Sequence, residues 1–178
     1  LRSLPSRHRT GPFQALTYSM KSYRILFVCM GNICRSPAGE AVLQKLAEDE
    51  ALDERLEIDS AGTIGFHSGS PPDGRMQAAA AKRSIYTGGH ARQVTKEDLD
   101  TFDRVLAMDN DNLRDLLSLA ESESQRSTIR SFCDYCIDHE NKEVPDPYYG
   151  GAQGFEIVLD LLEDGCRQIL EEARDALG

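Results

Sequence analysis

The stretch Arg24-Ile25-Leu26-Phe27-Val28-Cys29-Met30-Gly31-Asn32-Ile33-Cys34-Arg35-Ser36-Pro37 decides how the rest of this chain is read. Its first five residues have the length and the branched, aromatic character of a buried strand, and the pattern breaks at Gly31 and Asn32. Beyond the break, Ala38, Ala41, Val42 and Leu46 recur at helical spacing. Pro37 suits a first helical position with Ser36 as its cap. The stretch is therefore predicted to be a strand, a tight loop and a helix. Such a loop aims successive backbone N–H groups at one point, and the helix N-terminus adds about half a positive elementary charge there. That point favours an oxyanion.

Cys29 and Arg35 stand at opposite ends of this loop with five residues between them. Curling the loop places the sulfur beneath a bound phosphoryl group while the guanidinium fork grips two of its oxygens. The same field favours sulfur in the anionic form that attacks. The Ser36 hydroxyl is positioned to hydrogen-bond that sulfur, and Asn32 is a residue that tolerates a positive φ where the loop turns. Free cysteines after a strand often do no more than fill space. Here Gly31, Asn32, Ser36 and Pro37 each occupy a position with a loop or capping role, which favours the phosphate reading.

A phosphate ester attacked by a thiolate also needs a proton for the departing oxygen. Asp146 is expected to supply it, held between Pro145 and Pro147, which restrict the backbone on both sides; Pro-Asp-Pro alone reads as an ordinary polar turn, and its pairing with Cys29 and Arg35 gives it the acid role. Tyr148 and Tyr149 follow directly and are placed to flank an aromatic substrate. The acid must carry its proton while the sulfur has lost its own, so the rate is expected to peak at mildly acidic pH.

At this point the loop resembles that of the low-molecular-weight protein tyrosine phosphatases, and in particular their cyanobacterial and plastid-type members. Asp59-Ser60-Ala61-Gly62-Thr63, Ala91-Arg92-Gln93 and Val144-Pro145-Asp146-Pro147-Tyr148-Tyr149-Gly150-Gly151 agree with the same family, so the resemblance runs from about residue 23 to the C-terminus. It implies a phosphomonoesterase that works through a phosphocysteine, without metal or other cofactor. Its substrate would be a phosphotyrosine-containing protein or a small aryl phosphate. It implies Cys29, Arg35 and Asp146 as the catalytic set. Met30, Gly31, Asn32, Ile33, Cys34, Ser36, Phe66, Tyr148 and Tyr149 would form the phosphate and substrate site. Ser60 would hydrogen-bond Asn32 from behind. A histidine that some relatives place near Ala91-Arg92-Gln93 is replaced here by Gly, and His90 reads as a surface residue. Phe66 reads either as a cleft wall or as partial core.

Cys34 lies close enough to trap an oxidised Cys29 as a disulfide, which predicts peroxide inactivation that thiols reverse. Two sister activities are weighed. Arsenate reductases recruit further cysteines after the second strand, and none occurs between Cys34 and Cys133. Phosphoarginine phosphatases tend to carry Thr where this chain has Ile33. Phosphotyrosine therefore leads, and a phosphate-binding protein without catalysis ranks last.

The 178 residues suit one α/β domain, a doubly wound sheet of about four parallel strands flanked by helices. Strands are expected at Arg24–Val28, Leu56–Asp59, Arg104–Asp109 and Thr128–Phe132. Helices are expected after Pro71, through Leu113, Leu116 and Leu117, and at the C-terminus from Phe155 to Ala173. The acidic residues of that last helix form its solvated face. The Ser- and Glu-rich residues 120–127 are expected to be a flexible connection. In a sheet of this kind a ligand sits beyond the carboxyl ends of the strands, where Cys29 emerges.

Twenty Lys and Arg against thirty Asp and Glu give a net charge of −10, which argues against nucleic acid and anionic membranes as partners. Residues 1–22 hold Arg2, Arg7, Arg9 and Lys21 and no acid, the first carboxylate being Glu40. The remaining sequence has 16 basic against 30 acidic side chains, or −14, so residues 1–22 are expected to be a tail, upstream sequence or a transit segment, and residues 23–178 the domain. Five cysteines at scattered positions do not form a secreted disulfide framework, which points to a reducing compartment: the cytoplasm, or a plastid if residues 1–22 direct the chain there. Cys133-Asp134-Tyr135-Cys136 has metal-ligand spacing but no second ligand pair, so both are expected to be packing cysteines. The chain is expected to be a monomer or a weak dimer.

Overall fold

The computed structural model describes residues 21–178; the reading of residues 1–22 as a tail, upstream sequence or transit segment lies outside them except at Lys21 and Ser22, of which Ser22 Oγ donates to Glu57 Oε1 at 3.1 Å. Strand β1 (Tyr23–Cys29) is followed by helix α1 (Arg35–Asp49), strand β2 (Leu56–Gly62), helix α2 (Gly74–Ala81) and helix α3 (Lys96–Thr101). Strand β3 (Arg104–Ala107), helices α4 (Asn110–Leu119) and α5 (Glu123–Thr128), strand β4 (Ile129–Ser131) and the long helix α6 (Ala152–Leu177) complete the chain. Short 3-10 turns precede β2 at Asp53–Arg55 and follow β4 at Phe132–Tyr135.

The four strands form one parallel sheet in the order β2-β1-β3-β4. Tyr23 pairs with Leu56 and Cys29 with Gly62 on one side of β1, and Ile25 with Arg104 on the other. Successive side chains of β1 face opposite ways, as a strand dictates. Ile25, Phe27 and Cys29 enter the larger core with α1, α2 and α6, while Leu26 and Val28 enter the smaller core with α3 and α4. Both faces of β1 are therefore buried, which is why its sequence reads as continuous apolar residues rather than as an alternation.

The apolar stripe of α6, from Phe155 through Leu159 and Leu162 to Ile169 and Leu170, closes the larger core. Gly165 lets this helix approach Phe132, since a Cβ there would stand 2.4 Å from the ring. Arg83 ties the end of α2 to α6 through Glu156, Asp160 and Glu163.

Five expectations need correction. Helix α1 begins at Arg35 rather than at Pro37, and Ser36 does not cap it: the cap position is Cys34, without a side-chain bond. The hydroxyl of Ser36 is committed to the loop instead. Residues 120–127 are not a flexible connection, because Ser122 caps helix α5 by accepting from Gln125 N at 3.1 Å. Strand β3 stops at Ala107, and Asp109 caps α4 by accepting from Asn112 N at 2.8 Å. Strand β4 is only Ile129–Ser131, since Phe132 already belongs to a 3-10 turn. Finally, the acidic face of α6 has one exception, because Asp164 is fully buried. It accepts from Ile137 N at 3.2 Å and Asp138 N at 3.0 Å, and its other near neighbour is His139 Nδ1 at 2.8 Å.

No helix among the described residues is long and apolar enough to cross a membrane.

Candidate active site

The chain leaves the carboxyl end of β1 at Cys29 and re-enters regular structure at Arg35. Cys29 is the last residue of the central strand, flanked by β2 and β3, so the loop sits where successive crossovers part in opposite directions. Asn32 turns the loop with φ of 56°, a conformation Asn adopts far more readily than most residues. Its backbone N–H donates to Cys29 Sγ at 3.3 Å. The Ser36 hydroxyl lies 3.0 Å from the same sulfur. The sulfur is thus contacted by Asn32 N from within the loop and by Ser36 Oγ from the first turn of α1, and it is buried.

The Asn32 side chain fixes this turn from behind. Its amide donates to Ser36 Oγ and to Ser60 Oγ, each at 2.9 Å, and its carbonyl accepts from Arg92 N at 2.9 Å. The Ser60 hydroxyl in turn donates to Glu40 Oε2 at 2.6 Å. Burial pushes the Glu40 carboxyl above its ordinary range, against the opposing pull of Ser60. Arg92 is itself pinned by Asp59 and Asp98, both at 2.8 Å. The end of β2 seals the loop: Thr63 N donates to Cys29 O at 2.9 Å and Ile64 N to Met30 O at 3.1 Å. A side chain on Gly62 would meet Met30 O at 2.7 Å, so only glycine permits this approach.

Arg35, with its side chain 3% exposed, reaches from the first turn of α1 to the opposite wall. It donates to Asp109 Oδ2 at 2.5 Å, to Val144 O at 3.1 Å and to Asp146 Oδ2 at 3.2 Å. Burial works against its charge, yet the Cys29 sulfur, Asp109 and Asp146 together hold the guanidinium above its ordinary value. The Asp146 loop is fastened in turn by Arg75, which donates to Tyr148 O at 3.0 Å and lies over the Tyr148 ring. Burial and Asp73 push the Cys34 thiol up to about 12.

Above the sulfur lies a cleft of about 190 Å³. Cys29 and Arg35 form its floor; Ile33, Ile64, Phe66, His67, Tyr148 and Tyr149 rise around it, with Asp146 at the edge. Phe66, at 84% exposure, is a wall and not core. Its ring meets His67 edge-on at 4.9 Å, and Tyr148 meets Tyr149 likewise at 4.9 Å. Every residue expected at the catalytic and substrate site is thus found at the cleft or in the bonded shell directly behind it. His90 is exposed.

A family model described as "Low molecular weight phosphotyrosine protein phosphatase" matches residues 24–176. The chain belongs to this family. A Synechocystis protein named as a low molecular weight protein-tyrosine-phosphatase is 45% identical over 147 residues, covering 83% of this chain and 94% of its own. The crystal structure of a protein tyrosine phosphatase from Entamoeba histolytica superposes with a TM-score of 0.85 at 41% identity, covering 87% of this chain and 99% of that one. The Drosophila arginine phosphatase structure matches with a TM-score of 0.77 at 31% identity, covering 83% and 96%. The cyanobacterial likeness agrees with the subgroup suggested by the motifs, and this phosphatase family accounts for the single parallel α/β sheet.

Asp109, Glu40, Arg75 and His67 were not predicted for the site. Asp109 had a signal, an acid just past a strand that runs beside β1, but it is legible only once the strand order is known. Among the described residues no group of three or more His, Cys, Asp or Glu gathers to hold a metal ion.

Proposed function

We propose that this family member hydrolyses phosphotyrosine in proteins, or small aryl phosphates, with residues 23–178 as the working domain. Cys29 attacks phosphorus in line, the phosphorus–oxygen bond to the tyrosyl group breaks, and Asp146 gives its proton to that oxygen. Water then attacks the phosphocysteine, Asp146 takes a proton from it, and the sulfur–phosphorus bond breaks to release inorganic phosphate. Arg35 and the N–H groups at the start of α1 stabilise the charge that builds on the equatorial oxygens. In the resting arrangement Asp146 leans on Arg35. A bound phosphate claims the guanidinium and frees the carboxyl for the leaving oxygen.

The observation that carries this reading is a sulfur held by Asn32 N and Ser36 Oγ at the floor of an aromatic-walled cleft. Walls of Phe66, His67, Tyr148 and Tyr149 favour a phosphate borne on a flat aromatic group. Ile33 lines the cleft with hydrocarbon where a hydroxyl would assist a phosphoramidate, which favours the aryl ester over phosphoarginine. Cys34 is the proposed partner of an oxidised Cys29 in a reversible disulfide.

The test is turnover of phosphotyrosine, phosphoarginine and arsenate side by side, with Asp146→Asn as the control. Phosphotyrosine should lead, and the Asp146→Asn variant should lose about 100-fold or more in kcat for a poor leaving group and less for a good one. Equal loss for both leaving groups, or phosphoarginine as the better substrate, would sink the assignment.

A further inference from the structure

The structure holds a second pair of thiols, 10 residues before the proposed acid in the sequence. Cys133 lies within the 3-10 turn Phe132–Tyr135, and Cys136 closes the turn by donating its N–H to Cys133 O at 3.1 Å. A turn bonded in this way keeps its end Cα atoms within about 7 Å, at the upper edge of the separations that disulfides span, so that closure draws the two ends together. Both thiols are free. Cys133 is buried, while Cys136 is half-buried beside the exposed Ile137 and so gives the pair its access to solvent. The remaining cysteine of this region, Cys166, is fully buried against Gly39 O and does not compete.

We propose that Cys133 and Cys136 are a dithiol that closes to a disulfide separately from the Cys29 loop, and that closure slackens the segment carrying Asp146. Cys136, the half-buried thiol, is the one an external disulfide reaches first. With a low-molecular-weight disulfide as oxidant, Cys136 loses its proton, forms a mixed disulfide and releases one thiolate. Cys133 then loses its proton, attacks the Cys136 sulfur and expels the second, so that one external disulfide yields two thiols and one protein bridge.

The connection to the active site runs along the backbone. The Cys136 thiol donates to Leu161 O at 3.6 Å, a contact that bridging abolishes. The next three residues are pinned on Asp164 through Ile137 N, Asp138 N and the His139 ring. The chain then reaches Val144, whose N–H donates to Met108 O at 2.8 Å and whose carbonyl holds Arg35. Asp146 follows two residues later. Drawing the turn toward Cys133 gives up the Leu161 contact and so loosens this run at its Cys136 end.

Trypsin separates the two thiol pairs cleanly. Residues 25–35 contain only Cys29 and Cys34, and residues 131–142 only Cys133 and Cys136. The full chain carrying Cys34→Ser is equilibrated in glutathione buffers of increasing oxidation, with inorganic phosphate in the cleft to shield Cys29, and then freed of phosphate. The 131–142 peptide should lose about 2 Da as a bridge forms. Aryl phosphatase kcat should fall at least threefold in step with it and recover with excess thiol. Adding Cys133→Ser should remove both responses. A 131–142 peptide that stays reduced in the most oxidising buffer overturns the bridge. A bridge that leaves kcat unchanged overturns its link to Asp146. The activity arm rests on the proposed reaction whereas the mass of the peptide does not, so the two failures are distinguishable.

Discussion

Replacing Asp109 with Asn tests how far the grip on phosphate depends on a residue outside the loop. Arg35 has three anchors, and Asp109 is the shortest of them at 2.5 Å. In the proposed reaction one of the others, Asp146, must let go to act as the acid, which leaves Asp109 and the Val144 carbonyl to aim the guanidinium during the chemical step. A hydrogen bond to a charged group contributes about 1.5–3 kcal/mol, or roughly 10- to 150-fold at about 1.4 kcal/mol per factor of ten. Asn keeps an oxygen for Asn112 N and so preserves the cap of α4, whereas Ala loses both contacts and a further ~1 kcal/mol of helix capping. The expected result for Asp109→Asn is a fall of about 10- to 100-fold in kcat/KM toward an aryl phosphate, with product inhibition by inorganic phosphate weakened in parallel and Tm little changed. Asp109→Ala should show the same kinetic loss and a lower Tm. If Asp109→Asn keeps kcat/KM and the phosphate inhibition constant within twofold of the parent, then α1 alone orients Arg35 and the reasoning fails.

Asn32→Ala removes three side-chain contacts and places a Cβ residue at a positive φ, while Asn32→Gly removes only the contacts. Both should lose at least tenfold in kcat, and Ala should unfold at lower temperature than Gly by the ~1 kcal/mol that the left-handed conformation costs; equal melting of the two would show that the loop carries no such strain. Gly165→Ala should destabilise by about 1–3 kcal/mol, or roughly 3–10 °C in Tm, because its Cβ meets the Phe132 ring; an unshifted calorimetric Tm would mean that α6 yields freely. Burial raises the Asp164 carboxyl, but His139 and the amides of Ile137 and Asp138 outweigh it and hold the carboxyl below its ordinary value. Its contribution is therefore complete above the unfolded value of about 3.9 and is lost as pH falls below that toward the depressed folded value. The Asp164→Asn variant should be less stable by about 2–3 kcal/mol near neutrality, with the gap closing as pH falls below about 4 in denaturant melts; a gap that stays constant with pH would exclude an ionised Asp164.

What could be read without coordinates was whatever depends on near neighbours along the chain. Strand β1, its loop and α1 are local, and each residue type there answers a local need, so Cys29, Asn32 and Arg35 could be placed in one loop from their spacing together with Gly31, Ser36 and Pro37. Even there the helix start was misplaced, because capping rules assign Ser36 to the backbone while the Cys29 sulfur and Asn32 claim its hydroxyl. Helix α5 escaped a search for apolar periodicity because it has almost no apolar face. It is held by Ser122 at its cap and by the buried Gln125, which accepts from Glu121 N and donates to Asp100. The Ser122-x-x-Gln125 spacing is that of a capping box, and it was the signal available.

The partners that reach the loop from far along the chain follow from one topological fact, the placement of β1 between β2 and β3. Because all three strands are parallel, their carboxyl ends emerge on the same side, and each must deliver its next residues to the rim of the same loop. From β2 come Ser60 behind Asn32 and then Thr63 and Ile64 against the loop backbone. From β3 comes Asp109 against Arg35, and the chain beyond β4 returns across that end at Val144, bonded to Met108 just past β3, to bring in Asp146. Strand order is a global property that no local pattern encodes, which is why Ser60 entered the reading only through resemblance and Asp109 not at all. The same geometry makes the site cooperative. Arg35 is shared by residues that follow β3 and by the segment that follows β4, so a change that moves β3 against β1 displaces the phosphate grip and the proton donor together.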